Sequence, residues 1–347
     1  MQKTYIEWLA TETPGCWSVD QASVAVNEKA VQMGFDFSAG NPRLTYTSIL
    51  KERDKFEADI AECHDMKGDA KGYELYRRYI TPCAKVLEPI WEKSGGRTGY
   101  QCAMVNPKIG CDVDAMIEAA IMMNKWAPNI SVKLPTTGAG ITAAEEVIAM
   151  GIHVTGTVGF SVSQAMLMAE AHARGIAKAK KNGIAPRGGN YALFSGRVDA
   201  AVLEVAKDNG CSYIGPEEAK WAGLAVAKRI YEVYKSRNYM DENNFYLVPA
   251  ALSTPFHLSQ MAGAQVRFDN YMPTIEALDK QMENTPREYH IDDPIDPVAL
   301  ERLMGLKVFR QMYEYDGLSK DDLISFGYIQ NILINFGEAG FQQLLLL

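Results

Sequence analysis

The sequence contains no CxxC pair. Its six cysteines (Cys16, Cys63, Cys83, Cys102, Cys111 and Cys211) are scattered, and its five histidines are dispersed. In a chain of 347 residues that pattern describes free thiols in a reducing compartment, not a disulfide framework. Zinc-ligand spacing is also missing. Cys63 and His64 are neighbours with nothing to complete a four-ligand set, so no metal site is expected. Basic charge is not in excess either: Lys and Arg number 35 against 43 Asp and Glu, for a formal net charge of −8. A nucleic-acid partner is therefore not expected. The N-terminal stretch MQKTYIEWLATETPG lacks the apolar core of a signal peptide. The uncharged run at 147–169 is broken by Gly151, His153, Gly156, Gly159, Ser161, Ser163 and Gln164, so it reads as a helix end, a strand and a new helix. No membrane partner is expected, and the cytoplasm is the expected compartment. Neither GxGxxG nor GxxxxGK[ST] follows the first strand-like segment, which argues against a nucleotide-binding open sheet.

Apolar content is ample: 47% hydrophobic residues against 22% charged exclude disorder. Short apolar runs alternate with segments of helical periodicity. Strands are predicted at Cys16–Asp20, Phe35–Ala39, Tyr100–Val105, Ile130–Leu134, His153–Thr157, Tyr191–Ser195, Phe245–Ala251 and Gln265–Asp269. Helices are predicted at Asp112–Lys125, Ala143–Met150, Val162–Lys181 and Glu217–Lys235. Gly95-Gly96, Pro128-Asn129, Gly151, Gly188-Gly189 and Gly263 punctuate the boundaries. Eight strands alternating with helices predict an α/β fold, a closed (β/α)8 TIM barrel. A single domain over 1–347 is expected, with its barrel core at about 15–275, a helical insertion at 50–93 between strands two and three, and a helical extension at 284–347. The apolar terminus FQQLLLL has two candidate uses, packing on a partner subunit or closing its own barrel.

In such barrels the chemistry lies at the C-terminal strand ends. Those ends carry Asp20, Asn41, Gln101, Lys133, Thr157, Phe194 and Ser195, then Ala251 to Ser253. Lys133 stands between Val132 and Leu134. A lysine pointing into a barrel loses hydration, which favours an uncharged amine able to attack a ketone. The competing reading is a strand-end lysine that reaches solvent or an acid. Asp20 suits a general base on a substrate hydroxyl, or an N-cap for the next helix. Thr157 and Gln101 suit holding a catalytic water, or respectively capping and local burial. Asn41-Pro42 is first a turn signal. Arg197, at a helix start, suits an anionic substrate group or a surface ion pair.

Taken in order, these segments resemble the transaldolase family, including its smaller fructose-6-phosphate-aldolase-like branch. VKLPTTGAGITAAEEVIAMGIHVTGTVGFSVSQAMLMAEA at 132–171 resembles the family's Schiff-base strand, the helix after it, and a Thr-bearing strand leading into a Ser-x-x-Gln-Ala helix. LFSGRVDA at 193–200, FSAGNPRL at 37–44 and VDQASVAV at 19–26 resemble three further family segments. The match runs from about 15 to 275, poorly over 50–93, and 300–324 resembles the C-terminal helices more loosely.

The resemblance implies a Schiff-base lysine at Lys133, an acid/base at Asp20, and a catalytic water held by Thr157 and Gln101. It implies substrate contacts from Asn41, Phe194 and Arg197, with Ser195 and Ser253 beside them. It further implies transfer of a dihydroxyacetone unit from a ketose or ketose phosphate to an aldehyde. No cofactor beyond the covalent adduct is implied, and a homo-oligomer is. The pentose phosphate pathway is the implied setting. Release of free dihydroxyacetone by an aldolase is the nearest alternative; a non-catalytic sugar- or phosphate-binding barrel is an alternative of another kind. The chain departs from the family pattern at Gln101 (Glu in typical transaldolases), and at Ala192, Ala251 and Ser253, where relatives carry two serines and an arginine. The anion pocket therefore looks depleted, with Arg197 its main remaining member.

Overall fold

The computed structural model describes residues 3–347. Eight parallel strands close into a barrel in chain order: β1 (Cys16–Val19), β2 (Phe37–Ser38), β3 (Tyr100–Met104), β4 (Ile130–Pro135), β5 (Val154–Gly159), β6 (Gly189–Phe194), β7 (Phe245–Ala250) and β8 (Arg267–Asn270). β8 pairs back onto β1 in parallel, which completes the (β/α)8 TIM barrel expected from the alternation of runs. Among the described residues, no helix is long and apolar enough to cross a membrane, and no cluster of His, Cys, Asp or Glu could hold a metal ion.

Side chains alternate across each strand. The outward set, including Trp17, Val132, Leu134, Val154, Leu193 and Phe268, joins the helices in the main apolar core. The inward set is unusually polar. The hydroxyls of Ser131 and Thr155 meet at 2.8 Å, His153 Nδ1 lies 2.8 Å from Ser131, and Asn190 Nδ2 donates to Thr155 at 3.2 Å. Below this layer His153 stacks on Tyr100 at 3.9 Å, and the Arg267 guanidinium lies 4.3 Å over the Phe37 ring while pairing with Asp36 at 3.1 Å. These groups plug the N-terminal end, so access to the interior is left to the C-terminal mouth.

The insertion has a structural purpose. β2 spans two residues and pairs with β3 only at Phe37↔Tyr100 and Ser38↔Gln101, so the upper half of β3 lacks a strand neighbour on that side. The Gly68–Lys93 helix fills the gap: the Met104 N–H donates to the Tyr76 hydroxyl at 3.1 Å and the Asn106 N–H to that of Tyr73 at 2.9 Å. Two phenols thus do what a longer β2 would have done.

Several boundaries shift for visible reasons. The helix expected from Ala143 begins at Gly138, because Thr137 caps it by accepting from Gly140 N at 3.0 Å. The helix expected over 217–235 divides into Pro216–Ala219 and Ala222–Ser236. Gly223 abuts the Ser195 carbonyl there and donates its N–H to Asp199 at 2.7 Å. β5 runs two residues past Thr157 through Val158, which sits at φ 62° where the β5–β6 register shifts. Ala251, just past β7, also has positive φ, at 54°. Val158 is the penultimate residue of β5 and Ala251 the first after β7, so both strained residues lie at the C-terminal ends of strands, where such strain concentrates near functional sites.

The C-terminal extension folds back on its own chain. A π-turn at Gly337–Phe341 follows the Gly327–Phe336 helix and sets Gly340 against the backbone of Pro42 and Arg43, where a Cβ would come within 2.5 Å of Arg43 N. Phe341 packs on Tyr73 at 4.9 Å and fills the space left by Gly72. Of the FQQLLLL segment, Phe341 and Leu344 are buried and Leu346 is 78% exposed, so most of it closes onto the insertion helix.

The β3 edge provides a test. Tyr76→Phe strands the buried Met104 N–H without an acceptor and is expected to destabilise the fold by about 1–3 kcal/mol in urea titration. Tyr73→Phe, at a half-buried position, is expected to cost less. A Tyr76→Phe variant as stable as wild type would show that this phenol does not hold the strand edge.

Candidate functional site

A cavity of about 390 Å³ opens at the C-terminal mouth, lined by Asp20, Asn41, Arg43, Leu44, Thr47, Lys133, Phe194, Arg197, Ala250, Ala251, Asn270, Tyr271 and Phe336. Its size suits a monosaccharide. β4 carries Lys133 inward at a level with Met104 of β3 and Thr155 of β5, and the lysine is only 3% exposed. Its Nζ donates to the carbonyl of Gly40 at 3.1 Å. The N–H of the same residue donates to Asp20 Oδ1 at 3.0 Å. Gly40 has φ +72°, a left-handed conformation that β-carbon-bearing residues adopt only at a cost, and it thereby places an acceptor toward the lysine and a donor toward the carboxylate. The cavity floor thus holds an amine and a carboxylate oriented by one residue's backbone.

Asn41 follows directly and caps the Pro42–Lys51 helix, its Oδ1 accepting from Leu44 N at 3.0 Å. The turn reading and the wall position both hold, since one side-chain oxygen makes the cap while the residue lines the cavity. Thr157 is fully buried and its hydroxyl has no hydrogen-bond partner. Buried hydroxyls are rarely left so, and this one is free to hold a water. Phe194 forms the opposite wall, with the Arg197 guanidinium 5.8 Å over its ring.

Three predicted residues lie elsewhere. Gln101 is the second residue of β3, on the face opposite Cys102 and Met104. Its Oε1 accepts from Asn27 Nδ2 at 2.9 Å, which joins it to the helix layer, and its Nε2 donates to the Cys102 carbonyl at 3.1 Å. The amide is satisfied outside the barrel interior and does not reach the cavity. The β3 residue level with Lys133 is Met104, an apolar thioether. Ser195 is buried beneath Gly223, and Ser253 is exposed beside Gly196; neither lines the cavity. Ser195 is the first residue of the Ser195–Asp208 helix and Ser253 lies in the loop after β7, where the in–out alternation of a strand no longer applies.

The structure also brings in residues that strand-end reasoning missed. Arg43 and Phe336 reach the mouth from a helix start and from the C-terminal extension. Asp269 lies inside the barrel on β8, opposite Ser18 in register and 2% exposed, and its Oδ1 has no partner. Burial, and secondarily the Asp20 carboxylate, push the Asp269 carboxyl up to about 7, while Lys133 and Arg267 pull the other way. An acid at a predicted strand terminus was the available signal, since Gln265–Asp269 ends on it.

A family model described as transaldolase/fructose-6-phosphate aldolase matches residues 18–309. A transaldolase of Thiobacillus denitrificans is 28% identical over 224 residues, covering 60% of this chain and 60% of that protein. A protein named transaldolase 1 of Streptomyces coelicolor is 33% identical over 166 residues, covering 45% of this chain and 42% of its own length. A transaldolase of Mycobacterium ulcerans is 30% identical over 208 residues, covering 56% and 53%. The chain thus spans between 42% and 60% of the length of these curated relatives.

Asp269 generates a prediction with a definite sign. Its ordinary carboxyl value is 3.8 and its folded value is raised to about 7, so the folded state favours the neutral form. The stability this confers is present in acid and is lost as pH rises through that window. Asp269→Asn removes the cost of ionisation, so its melting temperature relative to wild type should be higher at pH 8 than at pH 5, by about 2 °C or more. Equal differences at the two pH values would show that the carboxyl does not titrate in this range.

Proposed function

The chain belongs to the transaldolase/fructose-6-phosphate aldolase family, and on that premise we propose that it is a transferase carrying a dihydroxyacetone unit from a ketose donor to an aldehyde through a Schiff base on Lys133. The observation that carries this reading is the Gly40 backbone, which bonds the Lys133 amine on one side and the Asp20 carboxylate on the other at the floor of a sugar-sized cavity.

The Lys133 amine adds to the C2 carbonyl, and loss of water gives an iminium. Asp20 takes the proton of the C4 hydroxyl while the C3–C4 bond breaks, and its electrons flow into the iminium to leave an enamine. The aldehyde fragment departs. An acceptor aldehyde then captures the enamine, Asp20 returns the proton, and hydrolysis frees the new ketose. The unpartnered Thr157 hydroxyl is suited to hold the water consumed and released. Asn41 faces the donor's hydroxyls, Phe194 forms the wall, and Arg197 faces an anionic end. The lysine adduct is itself the electron sink, so the reaction calls for no added cofactor.

Transfer competes with protonation and hydrolysis of the enamine, and tenfold in that ratio takes only about 1.4 kcal/mol. Beside Lys133 on β3 stands Met104, which brings no acidic proton, and this favours an enamine that survives until an aldehyde arrives. Carbohydrate metabolism such as the pentose phosphate pathway, a cytoplasmic setting and a homo-oligomeric assembly complete the proposal.

Borohydride reduction in the presence of a ketose should add a three-carbon fragment at Lys133, detected by peptide mapping. Lys133→Met should give neither adduct nor turnover. Asp20→Asn should lower turnover by about 10²–10⁴-fold yet still form the full-length ketose adduct, since Asp20 acts after the Schiff base. Added aldehyde should suppress release of free dihydroxyacetone; undiminished release would make the enzyme an aldolase. The absence of any adduct across phosphorylated and plain ketoses would overturn the Schiff-base reading.

A further inference from the structure

The charges around the cavity do not balance. Lys133, Arg43 and Arg197 line it, and Asp20 is the one acid beside them among the lining residues. Asp20 is already engaged by the Gly40 N–H. Arg197 makes no ion pair among the described residues. The nearest carboxylate in sequence, Asp199, is turned away: Oδ2 lies 3.0 Å from His257 Nε2 and Oδ1 accepts the Gly223 N–H at 2.7 Å. Arg43 likewise has no acidic partner among the described residues, and its Nη1 donates to the neutral Asn335 side chain at 2.9 Å. Both residues are exposed at the mouth, so water solvates the two guanidiniums and their charge stays available to a ligand in a chain whose net charge is −8.

The two arginines also oppose each other. The Arg197 guanidinium is held below its ordinary value by burial first and by Arg43 next, with Asp20 partly offsetting both. Two guanidiniums lining one cavity can hydrogen-bond the same oxyanion, which offsets their mutual repulsion. The positions at which relatives are expected to carry further anion ligands, Ala251 and Ser253, supply none here. Arg43 approaches from a different wall, the start of the Pro42–Lys51 helix, and that helix is braced by Gly340 of the C-terminal π-turn packing against its backbone.

Resting on the Schiff-base reading above, we infer that Arg43 and Arg197 together form the seat for a terminal tetrahedral oxyanion, such as a phosphate ester, on the ketose whose carbonyl reaches Lys133. Arg43 is then a specificity-determining residue, and the anion site is displaced from the β7 loop to the side of the mouth formed by the Pro42–Lys51 helix and the C-terminal extension.

The test compares fructose 6-phosphate with fructose as donor, and titrates inorganic phosphate against the protein by calorimetry. Arg43→Ala should lower the preference for the phosphorylated donor, measured as a ratio of kcat/KM values, by about tenfold or more, and should weaken inorganic phosphate binding in parallel. Arg43→Lys, which keeps the charge, should recover part of both. Asn335→Ala breaks the hydrogen bond to Arg43 but keeps the guanidinium, and should retain the preference; its loss in this variant alone would mean that Arg43 acts by bracing the extension, which overturns the inference. An unchanged preference in Arg43→Ala with normal adduct formation at Lys133 would also overturn it while leaving the proposed function standing. If no ketose forms an adduct, the functional reading fails separately, and phosphate binding lost in Arg43→Ala would still support the anion seat.

Discussion

One residue's backbone, Gly40, constrains the whole site. Its carbonyl receives the Lys133 amine and its N–H holds the Asp20 carboxylate, so the two groups cannot drift independently. The arrangement needs a left-handed conformation at Gly40, β2 ending after two residues, and Asn41 beginning the next helix at once. A longer β2 would have carried this peptide into the sheet ladder and spent both groups on strand pairing. The shortness of β2 leaves the edge of β3 open, and the insertion helix covers it with Tyr73 and Tyr76. Insertion, short strand and site are consequences of one another.

The interior of the barrel follows the same economy. Its lower half is closed by stacked rings and the Arg267–Asp36 pair, and its middle by a hydroxyl and amide network around Thr155. Around the cavity, the Thr157 hydroxyl and Asp269 Oδ1 stay without a partner, and the two mouth arginines have no carboxylate partner among the described residues. Buried polar groups that are satisfied rigidify a fold, whereas those left open await a substrate or a water. Strain is placed in the same region, at Val158 and Ala251.

Much of this was legible in the sequence. Apolar runs of strand length between glycine and proline punctuation located all eight strands within a few residues, and Lys133, Asp20, Asn41, Phe194 and Arg197 line one cavity, while Thr157 is buried on β5 outside its lining. Gln101 shows where strand-end reasoning fails. Its strand was correctly placed, but a residue three positions before the level of Lys133 faces the helices, and Met104 holds the inward place. Ser195 and Ser253 miss the cavity for a related reason: one opens a helix and the other lies in a loop, both outside the ladder that would have set their direction. Arg43, Phe336 and Asp269 carried no motif, because their place at or beneath the cavity depends on contacts between segments far apart in the chain.

The sequence by itself determined the barrel, since local hydrophobic period and turn chemistry suffice to order eight strands and the seven crossovers between them. It also singled out Lys133, a lysine inside an apolar strand, and Asp20, an aspartate at a strand end, which the fold brings to the same residue's backbone. Tertiary structure alone decided which side chains share the cavity. Inward direction depends on barrel shear and on register between neighbouring strands, and the mouth is completed by a helix start and a C-terminal turn nearly three hundred residues apart, at Arg43 and Phe336. No local pattern encodes that closure, because it is set by the packing of Gly340 against the backbone of Pro42 and Arg43.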